Sequence, residues 1–420
     1  MKEILISQNK HWNGKKYNSI KREKLDKLIS YLPLKQIITI TGIRRCGKST
    51  LAKQAINYLI ENGVNPKNIF FINLEHPYFL DYKHNPNYLH TIFEEYLKLI
   101  NPKGKIYCIF DEIQFFDNWQ VYIKSQYENS DIKYIIIGSN SSLLSNDLNT
   151  LLSGRSLNIH LDTFSFREFL DYKGIEYKSE FDRIKNKIEI KRSLDEYLKW
   201  GGFYEVFSAV DDIKNEILLS YAKNIIYQDI IPRYNIRNSE IVERLYFYLV
   251  SNVGGILNYS TLSDIFKISD KTIKEYIKYF EDVFLLKRID KYHTKQKEQI
   301  KSQKKIYSLD NGFIQIAPKH SKNLGSLLEN QVFIELQKID KVMYLKDLYE
   351  IDFKCQNTLY QVSYDLSNFK TKKREFQAFD YLDKNNKFKH KIITYDENYI
   401  ENSVEVESID NFLLGLENGI

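Results

Sequence analysis

Two glycines five residues apart, followed at once by a lysine and two hydroxyls, stand in the run Gly42, Ile43, Arg44, Arg45, Cys46, Gly47, Lys48, Ser49 and Thr50. Glycines at this spacing let the backbone curl so that successive N–H groups face one anion, and a helix starting there adds its positive end. Lys48 then reaches the β- and γ-phosphates of a nucleotide, and the Ser49 hydroxyl ligates a magnesium ion. The run fits G-x-x-x-x-G-K-[ST], so ATP and Mg2+ are the expected ligands. It lies between a strand pattern, QIITIT, and a helix pattern, STLAKQAINYLI, and that context separates a phosphate loop from a chance turn.

A second signal is KIYCIFDEIQ, an apolar strand that ends in Asp111 and Glu112. A buried strand rarely ends in two carboxylates without a charge to face. Asp111 is expected to hold magnesium through water, and Glu112 to act as general base on the attacking water. In KYIIIGSN, Ser139 and Asn140 close a further strand, where the amide either orients that water or is an ordinary turn residue. In LLSGRSL, Arg155 either reaches the γ-phosphate of a neighbouring subunit or serves its own surface.

The elements that must carry these groups alternate. Between about 35 and 165, apolar runs at 36–41, 69–74, 106–110, 134–137 and 157–161 are separated by helical patterns, the signature of a parallel α/β sheet. An arm, 1–34, precedes this phosphate-loop core, and its His11, Trp12, Lys21 and Arg22 are candidates to cover a base, with packing of the arm the alternative for Trp12. Apolar spacing of three and four residues predicts a helical connector over 166–250. Two short helices and the strand-like LLKRI and KKIYSL predict a winged helix-turn-helix over 251–310, with 295–305 as its loop. A mixed α/β domain follows over 311–420.

The chain has 420 residues, 43% hydrophobic and 28% charged, which suits two or three folded domains. No run approaches the roughly 18 apolar residues of a membrane span, and MKEILISQNK is not a secretory leader, so a cytoplasmic protein without a membrane partner is expected. The three cysteines lack metal spacing and read as reduced thiols.

Taken in order, GIRRCGKST, INLEHP, IFDEIQFFDNW, IIGSNSSLLS and SGRSLNIHLDTFSFREFL resemble the archaeal and bacterial AAA-type ATPases with a C-terminal domain of unknown function, DUF4143. YLKWGGFYEVF, DIIPRYNIRN, KIYSLDNGF, EIDF and YQVSYDLSNFKTKKRE extend the likeness over nearly the whole chain. The resemblance implies an AAA-like core, a winged-helix segment and a restriction-endonuclease-like C-terminal domain. A nuclease of that fold needs a helix glutamate, an aspartate, and an acid two places before lysine. Glu329 and Asp352 fit the first two, whereas Gln361 and Ser363 stand where the third acid and the lysine belong, with Glu350 as a substitute ligand. A degenerate, binding-only domain is expected.

Residues 261–305 hold twelve Lys and Arg against seven Asp and Glu, close to the whole net charge of +6. In SDKTIKEYIKYF, Ile273, Ile277 and Phe280 share one helical face, while Lys271, Lys274 and Lys278 take another. Such a face suits DNA phosphates, or is simply solvated. The leading expectation is a homo-oligomeric ATPase acting on DNA, with Arg155 working in trans. A slow nucleotide-gated switch acting on a protein partner and an ATP-driven nuclease are the alternatives.

Overall fold

The computed structural model describes residues 1–129, 131–139, 154–318 and 324–415. The chain forms two compact units, Met1–Thr163 and Phe164–Ile420.

The first unit is a five-stranded sheet of β1 (Ile37–Thr41), β2 (Ile69–Asn73), β3 (Ile106–Asp111), β4 (Ile132–Gly138) and β5 (Ser156–His160). The order is β2-β3-β4-β1-β5, and every pair is parallel. All five residues of β1 are buried, as a strand covered on both faces requires. The five strands expected from the apolar runs are therefore present, within two residues at each end.

An edge strand exposes unpaired backbone groups, and β2 is such an edge. The arm closes it with side chains. Asn9 Nδ2 donates to Phe71 O, and Phe71 N donates back to Asn9 Oδ1, each at 2.7 Å. One residue pair further on, Asn73 N donates to Gln8 Oε1 at 2.6 Å. Trp12 Nε1 donates to Ile69 O at 2.8 Å, and its ring stacks on Tyr96. Trp12 and His11 are thus buried where the arm packs on β2.

The second unit opens with helices Phe166–Lys173, Glu180–Lys185, Lys187–Trp200, Tyr204–Phe207 and Asp211–Asn224, the last running into a π-helical turn, Ile225–Ile230. Ser239–Ser251 follows, then the pair Tyr259–Phe266 and Asp270–Asp282. The remaining strands are β6 (Leu286–Lys291), β7 (Lys304–Ser308), β8 (Met343–Lys346), β9 (Glu350–Cys355), β10 (Thr358–Val362), β11 (Lys389–Thr394), β12 (Tyr399–Glu401) and β13 (Val404–Ser408). They form one sheet, β12-β13-β11-β10-β9-β8-β6-β7. β6 and β7 pair as an antiparallel hairpin at the position expected for a wing, and β6 also pairs in parallel with β8, so the hairpin and the C-terminal strands share a sheet. The loop expected at 295–305 contains a helix, Gln296–Lys301.

Two of the quoted motifs meet here. Gly202 N donates to Asp310 Oδ2 at 2.9 Å, and Asn311 Nδ2 donates to Leu198 O at 3.1 Å. Gly201 has a positive φ of 74°, and a Cβ there would lie 1.8 Å from Asp310 Oδ1, so WGG and LDNG fit only through a bare backbone.

Candidate nucleotide site

Gly42 to Ser49 join the end of β1 to the helix Lys48–Glu61. At Gly42 φ is 149°, and a Cβ would come 2.0 Å from Leu161 O, so any side chain would push the loop off β5. Lys48 Nζ donates to Gly42 O and Ile43 O, both at 3.0 Å, which holds the ammonium in the hollow of the loop. Arg45 takes a left-handed backbone (φ 68°), and Arg44 reaches Glu75 beyond β2 at 2.5 Å. Burial pushes the Cys46 thiol up, which keeps it neutral. Arg22, 1% exposed, grips the loop from behind, donating to Cys46 O and, at 2.9 Å, to Asp162 O.

Ser49 Oγ donates to Asp111 Oδ2 at 2.6 Å. Asp111 is buried, and its Oδ1 has no hydrogen-bond partner. Burial, and then the neighbouring Glu112 charge, raise this carboxyl to about 6. A buried carboxylate oxygen without a donor, beside a serine hydroxyl at the mouth of a phosphate loop, fits a magnesium ion. A cavity of about 560 Å³ adjoins Ser49, Thr50 and Asp111, with Lys10, Lys15 and Lys53 in its walls.

Glu112 follows with a positive φ of 53°, a strained setting that turns its side chain away from the strand direction. Gln114 Nε2 donates to Glu112 and, at 3.2 Å, to Ser139 Oγ, so the amide bridges the ends of β3 and β4. Its Oε1 is buried and unpartnered. Sequence reasoning passed over Gln114, although it stands inside IFDEIQ. Asn140 lies outside the described residues.

Arg155 stands at the entry of β5. The register pairs Ile37 with Ser156 and Thr41 with His160, so Arg155 is five strand residues, about 16 Å, from the end of the sheet that carries the loop. Its guanidinium pairs with Glu128 at 2.6 Å, over the Tyr127 ring.

In the second unit, Ile273, Ile277 and Phe280 are buried and Lys271, Lys274 and Lys278 exposed, as the helical spacing predicts. Much of the remaining basic surplus is spent internally. Arg288 pairs with Glu281, and Lys304 with Asp290. Lys305, 2% exposed, lies 2.5 Å from Glu350, 3.6 Å from Glu329 and 3.9 Å from Asp352. Burial opposes its charge, but those three carboxylates outweigh burial and raise it. Glu329 and Asp352 are thus brought together as expected, around an ammonium that the sequence did not reveal. Gln361 Oε1 accepts from Asp352 N at 2.8 Å, and its amide donates to Glu375. Ser363 Oγ donates to Asp365 O at 3.1 Å.

The chain matches the AAA domain family over residues 34–170. Residues 191–323 match a domain of unknown function, DUF8612, and this corrects the expected DUF4143. An uncharacterized protein of Haemophilus influenzae is 33% identical, covering 83% of this chain and 87% of that one. An uncharacterized protein of Methanocaldococcus jannaschii is 32% identical, covering 92% and 88%. Among solved structures, Aeropyrum pernix ORC1 in complex with DNA is 11% identical, covers 69% of this chain and 90% of its own, and has a TM-score of 0.31. AMPPCP-bound DnaA from Aquifex aeolicus is 13% identical, with 64% and 90% covered and a TM-score of 0.27. No described helix is long and apolar enough to cross a membrane.

Proposed function

The chain belongs to the family of these Haemophilus and Methanocaldococcus proteins, and we propose that it is a magnesium-dependent ATPase whose hydrolysis remodels or moves along DNA. The observation that carries the ATPase reading is the buried, unpartnered Asp111 Oδ1 beside Ser49, at the mouth of the loop that holds Lys48. Backbone N–H groups of Gly42 to Ser49 cradle the phosphates, and Lys48 turns from the loop carbonyls to the β- and γ-oxygens. Ser49 and Asp111 would hold a magnesium ion, which would supply charge neutralisation at those oxygens. Glu112 takes the proton of the attacking water as the bond from the γ-phosphorus to the bridging oxygen breaks, giving ADP and phosphate. Gln114, a positioning residue, holds Glu112 towards Ser139.

Contact with DNA is supported by the cationic outer face Lys271, Lys274 and Lys278, backed by the buried face of the same helix. Action in a homo-oligomer is supported by Arg155, which is too far along β5 to serve its own phosphates.

Turnover and nucleotide binding of two variants test the ATPase reading. Lys48→Ala should lose roughly a hundredfold or more in turnover. Glu112→Gln should hold ATP while turnover falls by a similar factor. Wild-type turnover in Lys48→Ala would refute the assignment. For DNA, Lys271→Glu, Lys274→Glu and Lys278→Glu together should weaken duplex binding and flatten its salt dependence.

A further inference from the structure

Residues 366–374, LSNFKTKKR, contain four Lys and Arg and no carboxylate. They lead into the helix Phe369–Leu382, whose inner side buries Glu375, Ala378 and Phe379 against the second unit's sheet. The first turn is fixed in place. Asn368 Oδ1 accepts from Lys370 N and Thr371 N at 2.9 and 3.4 Å, and Glu375 accepts from the Gln361 amide of β10.

On this rigid turn Phe369 is 77% exposed, so its ring contributes almost nothing to the core. Lys373 lies four residues on from Phe369, and Lys370 lies three and four residues from Lys373 and Arg374, so the exposed Lys370, Lys373 and Arg374 form one helical stripe along one side of the ring. Lys372 turns aside to Glu401 at 2.6 Å. Among the described residues no carboxylate pairs with Lys370 or Lys373, and the Arg374 side chain stays 69% exposed although it reaches Glu375.

An exposed ring with cations beside it is suited to a ligand with both a π-face and repeated negative charge. A duplex keeps its bases stacked on each other and would use the cations but leave Phe369 idle, whereas a single strand offers unstacked bases. We propose that this turn is a binding site for single-stranded nucleic acid, with a base stacked on Phe369 and phosphates on Lys370, Lys373 and Arg374. It extends the DNA contact proposed above to a second surface, and it does not depend on ATP turnover.

The test is equilibrium binding of the full chain to a labelled oligothymidylate and to a duplex over a range of salt, with thermal melting to verify folding. Phe369→Ala should weaken oligothymidylate binding about tenfold with an unchanged salt slope, and leave duplex affinity alone. Phe369→Trp should retain single-strand binding. Lys370→Ala, Lys373→Ala and Arg374→Ala together should make the slope of log affinity against log salt shallower by about two, near 0.7 for each lost phosphate contact. Equal single-strand affinity in Phe369→Ala overturns the proposal. So does equal competition by poly-glutamate at matched charge, which would make this a patch for an acidic protein segment. Failure of the duplex contact would appear separately, as unchanged duplex binding in the Lys271, Lys274 and Lys278 variant.

Discussion

Ser49 Oγ and Asp111 Oδ2 stand 2.6 Å apart, joining the first turn of the phosphate-loop helix to the end of β3. The serine satisfies one carboxylate oxygen and leaves the other buried without a donor. Asp111 is therefore a cost to the ligand-free fold at neutral pH. Its carboxyl is raised to about 6, above the value of an unfolded aspartate near 3.8, so the folded state binds the extra proton. Stability falls as pH rises from about 4 to about 6, and the loss stays constant above.

Asp111→Asn should thus stabilise the ligand-free protein at pH 7 by on the order of 2 kcal/mol, and by little at pH 4. The same variant should lose the rise in melting temperature that magnesium and ATP together give the wild type. Melting at pH 4.5 and 7.5, with and without Mg-ATP, reads both effects. A variant less stable than wild type at both pH values would contradict this account of Asp111.

Arg22 offers a second prediction. It is buried and satisfies carbonyls on the phosphate loop and beyond β5, and its own N–H donates to Gln54 at 3.1 Å. Arg22→Ala should cost about 3 kcal/mol through the carbonyls left without donors and should weaken ATP binding. Arg22→Lys should recover little, because a single ammonium cannot span the same set of oxygens. Denaturant unfolding and nucleotide titration measure the two effects, and full recovery by lysine would show that charge alone matters.

The loop, the five strands and the buried face of the helix Asp270–Asp282 were legible because each is a local pattern: a motif between a strand and a helix, an apolar run, a helical spacing. Arg22, Gln114 and Lys305 were not. Arg22 meets residues 140 and 141 positions away, and Lys305 meets Glu350 across 45 positions, while single charges in a lysine-rich chain have no period to betray them. The join of the β6–β7 hairpin to the C-terminal sheet was hidden for a similar reason, since the β6–β8 register consists of two residue pairs.

Lys305 supplies the third prediction. Its ammonium lies among Glu329, Glu350 and Asp352, of which Glu350 also pairs with Lys346 at 2.5 Å, and Asp352 is already held well above the usual carboxylate range by burial and then by Glu329. Lys305→Met should cost on the order of 3 kcal/mol at pH 7.5, because it removes a buried ammonium from partly buried carboxylates. Asp352, already raised, should then lose the one cation that opposes its shift, so the deficit grows as pH rises from about 4 and shrinks in acid. Adding Glu350→Gln should return part of the loss. A deficit independent of pH would mean that lost packing, and not stranded charge, is responsible.

Arg155 gives the last prediction. Its partner Glu128 is a half-exposed surface carboxylate, and such a pair is worth at most about 1 kcal/mol, so a phosphate on a neighbouring subunit can win the guanidinium cheaply. Five residues of β5 separate Arg155 from its own loop, so the proposed part in hydrolysis requires the γ-phosphate of a neighbouring subunit. Arg155→Ala should therefore change stability and ATP binding little while lowering hydrolysis on the order of a thousandfold. Geometry is decided by mixing Arg155→Ala subunits, whose Glu112 is intact, with Glu112→Gln subunits, whose Arg155 is intact. An arginine acting in trans can complete a site that still holds its general base, so mixed oligomers should regain part of the activity that neither variant has alone. Mixed oligomers that form and stay inactive would return Arg155 to a surface role beside Glu128.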